Sequence, residues 1–151
     1  MSIYRVEKTE QPVTLFYSDG SVISGVVFLS PSAYNHIGRQ TLLDLLKEKG
    51  EFFPFRGNND KFYVINKRSI THIRYQPAVR ERVADVLGTS VEINIEFMGG
   101  EQLTGQILIE MPEGRTRLFD FINDVKGYFV LTTVEAHYLV NASLVRDVSP
   151  T

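Results

Sequence analysis

Val13-Thr14-Leu15-Phe16-Tyr17-Ser18-Asp19-Gly20, continued by Val22-Ile23-Ser24-Gly25-Val26-Val27-Phe28-Leu29, is the stretch that decides the fold. Apolar residues alternate through the first run, the period of a half-buried strand. Asp19-Gly20 closes it, because a tight hairpin turn uses positive φ and glycine adopts it without steric cost. Gly25 lies inside the second run, where glycine marks a bulge or a sharp bend. The pattern returns as Ile93-Asn94-Ile95-Glu96-Phe97, then Gly99-Gly100, then Leu103-Thr104-Gly105-Gln106-Ile107-Leu108-Ile109.

The segment after each hairpin also recurs. Gly38-Arg39-Gln40-Thr41-Leu42-Leu43-Asp44-Leu45-Leu46 matches Gly114-Arg115-Thr116-Arg117-Leu118-Phe119-Asp120-Phe121-Ile122. Apolar residues at 42, 43, 45 and 46 predict one face of a short helix, with Gly50 and Gly127 as stop signals. Glu51-Phe52-Phe53-Pro54-Phe55 then matches Gly127-Tyr128-Phe129-Val130-Leu131. Residues 62–73 match 137–148, two strands bent around Asn66 and Asn141. The offset between the copies drifts only from 80 to 76 to 75, and both breaks fall in predicted loops. The expectation is an internal duplication, mainly β with short helices. The first β repeat spans 1–76, a connecting helix 77–89 and the second repeat 90–151. Pro77 opens the connector, Gly88 closes it, and Val79, Val83, Val86 and Leu87 line one side.

The chain has 151 residues, 43% hydrophobic and 23% charged, enough to build a core without staples. It has no cysteine, which removes thiolate catalysis, thiolate metal sites and redox switching. The opening Met1-Ser2-Ile3-Tyr4-Arg5 lacks a signal-peptide core, and no apolar run is long enough for a membrane span. A cytoplasmic protein without membrane partners is expected.

The half-unit resembles Sm-like proteins. The alternating strand, Asp19-Gly20, four residues and Gly25 are similar to the first signature of that family. Val64-Ile65-Asn66-Lys67-Arg68-Ser69-Ile70-Thr71-His72-Ile73 is similar to the second, and residues 140–148 repeat it. The resemblance implies two tandem Sm-like units, each a bent five-stranded barrel, with the connecting helix in the place of the family's N-terminal helix. The departures are specific. The family's polar pair after the first glycines is replaced by Ser32-Ala33-Tyr34-Asn35-His36, and in the second copy by Pro112-Glu113-Gly114-Arg115. Its Arg-Gly or Lys-Gly becomes Asn66-Lys67 and Asn141-Ala142. The family's RNA pocket therefore does not carry over residue by residue, and the chain is expected to be a divergent variant with an inserted helix.

Arg39 with Asp44, and Arg115 with Asp120, form the sharpest polar constellation, one pair per half. A paired ligand site, or a catalytic set, is one reading. The structural one is favoured: the aspartate complements the helix macrodipole, and the arginine ties down the loop. Thr41 and Asp44 have capping-box spacing, whereas Arg117 stands at Thr41's position in the second copy. Asn66 and Asn141 suit a strand corner, since asparagine bonds its own backbone there. His36, His72 and His137 have no metal-ligand or triad spacing, and no phosphate loop is present. Neither metal nor cofactor is implied, and the chain is expected not to be an enzyme.

Charge is unevenly distributed. Residues 1–82 carry a net +4 and residues 83–151 a net −6. Lys61, Lys67, Arg68, Arg74, Arg80 and Arg82 lie among Phe62, Tyr63 and Tyr75, a composition compatible with single-stranded nucleic acid. The asymmetry has a second reading, in which a positive and a negative half of like shape pair head to tail between molecules. Alternatively, the halves pair within one chain. The expected function is a non-catalytic binding or assembly module acting through protein partners or self-association. RNA binding through 61–82 is the alternative.

Overall fold

The computed structural model describes residues 8–31, 40–77, 89–109 and 118–151. Ten antiparallel strands and two short helices make up most of them. In chain order they are β1 Thr9–Tyr17, β2 Val22–Leu29, α1 Leu42–Lys47, β3 Phe52–Gly57, β4 Phe62–Asn66, β5 Ile70–Tyr75, β6 Thr89–Phe97, β7 Gln102–Ile109, α2 Leu118–Asp124, β8 Tyr128–Thr132, β9 His137–Asn141 and β10 Val145–Pro150. One-turn 3-10 helices, Lys67–Ser69 and Ala142–Leu144, turn β4 into β5 and β9 into β10. The expected mainly-β class with short helices is observed. β1 begins at Thr9, ahead of the alternating run that predicts it. β6 begins at Thr89, one residue inside the span assigned to the connector. The rest of that helix after Pro77 lies outside the described residues.

All ten strands belong to one sheet, ordered β10-β6-β7-β8-β9-β5-β1-β2-β3-β4. Within it, β5-β1-β2-β3-β4 and β10-β6-β7-β8-β9 follow the same order, and their registers coincide. Val13 faces Gly25 and Leu15 faces Ile23, as Ile93 faces Gly105 and Ile95 faces Leu103. Phe52 faces Asn66 and Pro54 faces Val64, as Tyr128 faces Asn141 and Val130 faces Leu139. The β1–β5 ladder has a bulge between Phe16 and Tyr17. The β10–β6 ladder has its irregularity between Val145 and Asp147, at the equivalent place.

The turn glycines behave as their positions require: Gly20 has φ +91° and Gly100 φ +97°. Gly25 and Gly105 serve a different purpose. A Cβ on Gly25 would lie 2.2 Å from the Arg56 carbonyl oxygen, and one on Gly105 2.7 Å from that of Thr132. Here the chain crosses so tightly that β2 and β3 share only two residue pairs and β7 and β8 one.

Two cores result. Val13, Leu15, Val27, Leu29, Phe53, Phe55 and Ile73 pack with the α1 leucines in the first. Ile93, Ile95, Phe97, Ile107, Ile109 and Leu131 make the second. Each fully buried side chain of this size contributes roughly 1.5–3 kcal/mol. Alternation along the strands puts these residues inward and their neighbours outward.

Candidate functional site

The two five-stranded runs meet where β5 pairs with β9. His72, Ile73, Arg74 and Tyr75 face Val140, Leu139, Tyr138 and His137. The hairpin β8–β9 supplies apolar cover to the first run: Tyr128 and Leu139 belong to the first core, and Val130 packs against it. α1 lies against β8. Its Leu42, Leu45 and Leu46 are all buried, and a complete capping box fixes its start. Asp44 N–H donates to Thr41 Oγ1 at 3.1 Å, and Thr41 N–H donates to Asp44 Oδ2 at 3.0 Å.

Polar groups lock this junction. Tyr128 Oη donates to the Lys67 carbonyl at 2.6 Å, and Asn141 Nδ2 to the Ile70 carbonyl at 2.9 Å. One carbonyl belongs to the first residue of the 3-10 corner and the other to the residue just after it, so the second run satisfies acceptors of the first. Burial raises the Tyr128 pKa well above the usual tyrosine value. His72 stacks between Phe16, with centroids 4.2 Å apart, and Phe97, at 5.2 Å. Its Nδ1 lies 2.9 Å from Thr71 Oγ1, which also contacts the Phe16 carbonyl at 3.0 Å. If the hydroxyl proton goes to that carbonyl, a neutral His72 can donate to the hydroxyl oxygen. Burial lowers the His72 pKa to about 4. Thr71, His72 and Asn141 are three of the four buried polar residues among those described.

The sheet's two outer strands, β4 and β10, have no ladder partner on their far sides among the described residues. Along the β3–β4 hairpin the outward face is apolar, with Phe52 52%, Phe62 70% and Val64 74% exposed. Phe62 stacks near Phe28, over which the Arg56 guanidinium sits at 5.8 Å. At β10, an open groove of about 370 Å³ runs between the strand and α2, lined by Leu118, Phe119, Ile122, Val145 and Val148. None of the α2 residues is buried.

The residues singled out from sequence fall in several places. Asn66 and Asn141 both cap the 3-10 corners, their Oδ1 atoms accepting from the Arg68 N–H at 2.9 Å and the Ser143 N–H at 3.1 Å. Only Asn141 also crosses the junction. Asp44 is in its capping box and Asp120 in the first turn of α2. Arg39 and Arg115 lie outside the described residues, as do Arg80, Arg82 and His36. Lys67 Nζ donates to the Glu48 and Gly50 carbonyls, each at 2.8 Å, and partial burial lowers its pKa. Arg68 pairs with Glu51 at 2.6 Å. Lys61 and Arg74 are exposed on different strand segments: Lys61 precedes β4, while Arg74 lies across from Thr14 and Tyr138.

Tyr128, His72 and Leu139 carry the junction, and the sequence does not single them out as site residues. The available signal was Tyr128 standing where the first half has Phe52, a hydroxyl added at one matched position. Among the described residues, no group of three or more His, Asp or Glu side chains is placed to hold a metal. No described helix is long and apolar enough to cross a membrane. Comparison with known proteins finds no matching family model, curated protein or solved structure.

Proposed function

We propose that the chain is a non-catalytic assembly module, built as a tandem duplication of an Sm-like unit, that binds protein at its two open sheet edges. The shared strand order, registers and bulge position support the duplication. The exposed face of β4 carries the functional reading. Phe62 and Val64 are 70% and 74% exposed on a strand whose outer backbone groups have no ladder partner among the described residues. Unpaired edges with apolar neighbours invite strand addition, in which main-chain hydrogen bonds give affinity and side-chain pockets give specificity. This reading stands ahead of RNA binding because Lys67 and Arg68, the centre of the basic segment, already engage backbone carbonyls and Glu51.

The test is amide hydrogen exchange on the protein isolated at native abundance. Protection of residues 62–66 and 145–150, beyond that of the same chain diluted and separated, is the expected result. A lone chain with both edges exchanging freely at native concentration overturns the reading.

A further inference from the structure

We infer that the cavity where the two runs meet is a binding site for a small amphipathic carboxylate, its head held by Lys47 and Lys126 and its apolar body laid along β8. None of the cavity's lining comes from β4 or β10, so the site stands or falls independently of the assembly reading.

The cavity follows from the way β7 leaves β8. Gly105 brings the two chains together, and Gln106–Thr132 is their single ladder pair. Beyond it the strands part. In the first run the matching wedge is filled by α1, whose Leu42, Leu45 and Leu46 are all buried. α2 buries no residue, and its Phe121 meets Phe129 edge-on with centroids 6.0 Å apart. The second wedge is therefore left open. It is a cavity of about 860 Å³, lined by Leu43 and Lys47 of α1, Phe121 and Asp124 of α2, and the adjoining Val125 and Lys126. Small-molecule sites measure roughly 300–1,000 Å³.

β8 orders the chemistry of this cavity. Lys126 stands just ahead of the strand. Lys47 reaches the same end: the carbonyl of the adjacent Glu48 accepts from Lys67 Nζ at 2.8 Å, and the Lys67 carbonyl accepts from Tyr128 at 2.6 Å. Both lysines are exposed, and neither makes an ion pair among the described residues. Such side chains lay their stems on apolar surface and keep the ammonium in water, where a carboxylate can take a charge-assisted hydrogen bond from each. Asp124 lies at this end too, and two ammonium groups against one carboxylate leave one net positive charge. That balance suits a monoanion better than a phosphate dianion. The middle of the cavity is apolar, with Leu43, Phe121, Val125, Val130 and Ile107. The far end is polar and neutral. Ser90 Oγ donates to Gln106 Oε1 at 2.8 Å, and Thr132 Oγ1 donates to the Gln106 carbonyl at 3.2 Å. The Tyr75 and His137 rings meet edge-on beside it, with centroids 5.8 Å apart. At the usual strand rise the five residues of β8 span about 16 Å, enough for a medium-chain acid lying at full length.

The experiment is titration calorimetry of the full chain with decanoate, kept below its micelle-forming concentration. Decylammonium, with the same chain length and the opposite charge, is the comparison. The expected result is saturable binding of one decanoate per chain, roughly tenfold or more tighter than decylammonium. Combining Lys47→Glu with Lys126→Glu, both at exposed positions, is expected to weaken decanoate by roughly tenfold or more while circular dichroism and the thermal midpoint stay as they are. Amide NMR shifts on adding decanoate are expected at residues 106–108 and 121–132. No saturable decanoate binding overturns the inference. So does equal binding of the two probes, or a double variant that binds decanoate as the wild type does, since adsorption on the exposed apolar face of the β3–β4 hairpin gives either result. Shifts confined to residues 52–64 overturn it as well.

Discussion

α1 and α2 occupy equivalent places in two runs of matching strand order, and they differ in cover. Leu42, Leu45 and Leu46 of α1 are 1%, 6% and 7% exposed, whereas α2 has no buried residue. The adjoining strands differ in the same sense: β5 is buried at five of its six positions, and β10 at none. Local sequence is not the cause, since both helices carry apolar residues at the same four matched positions. The difference is the neighbouring hairpin. β8–β9 lies over the first helix and strand, and no described hairpin lies over the second pair. The apolar surface of the first run is completed by a hairpin of the second.

The substitution expected to have the largest effect on this comparison is Leu139→Ala, set against Val64→Ala at the matched position. Removing a fully buried leucine from the junction is expected to cost about 2–5 kcal/mol in urea unfolding. The exposed valine is expected to change stability of the dilute chain by no more than about 0.5 kcal/mol. Equal costs at the two positions would break the contrast.

His72 gives the next effect. Its folded pKa lies near 4, below the 6.5 of an unburied histidine. The unfolded chain therefore takes up the proton first as pH falls. Stability from the neutral ring is full above pH 6.5 and is lost progressively between 6.5 and 4, by up to about 3 kcal/mol. His72→Phe, between Phe16 and Phe97, is expected to flatten that part of the profile, measured by denaturant midpoint against pH. An unchanged slope would remove His72 as its source. The smallest effect is at the helix start. Thr41→Ala removes a capping bond and is expected to cost about 1 kcal/mol. Arg117→Ala, at the matched position without a capping hydroxyl, is expected to leave thermal stability nearly unchanged.

The hairpins were legible because their alternation, Gly20, Gly100 and the glycines inside β2 and β7 all act locally. The helices were legible from four apolar positions, and the Thr41–Asp44 cap from its spacing. The asparagine corners also follow from local chemistry. The junction was not legible. Leu139 and Val64 are equivalent residues by sequence, yet one is buried and the other exposed, because burial there depends on a strand from the other half of the chain. His72 reads as an isolated histidine until Phe16 and Phe97, from different runs, close on it. The basic segment looks like one surface in sequence, but Lys67 and Arg68, in the 3-10 turn, engage the Glu48 and Gly50 carbonyls and Glu51.

The β5–β9 pairing also fixes an order of events during synthesis. A ribosome releases the chain N-terminus first, and domains fold as they emerge. The earlier half can form its hairpins at once, since their contacts are close in sequence. Its β5 rim lacks its second ladder partner until residues 128–141 leave the exit tunnel, because that partner is β9. Among the described strands β10 alone follows this hairpin, and the hairpin acts as the clasp. For the interval before it arrives the nascent half has an open β5 edge, and truncations ending between residues 77 and 127 keep it open.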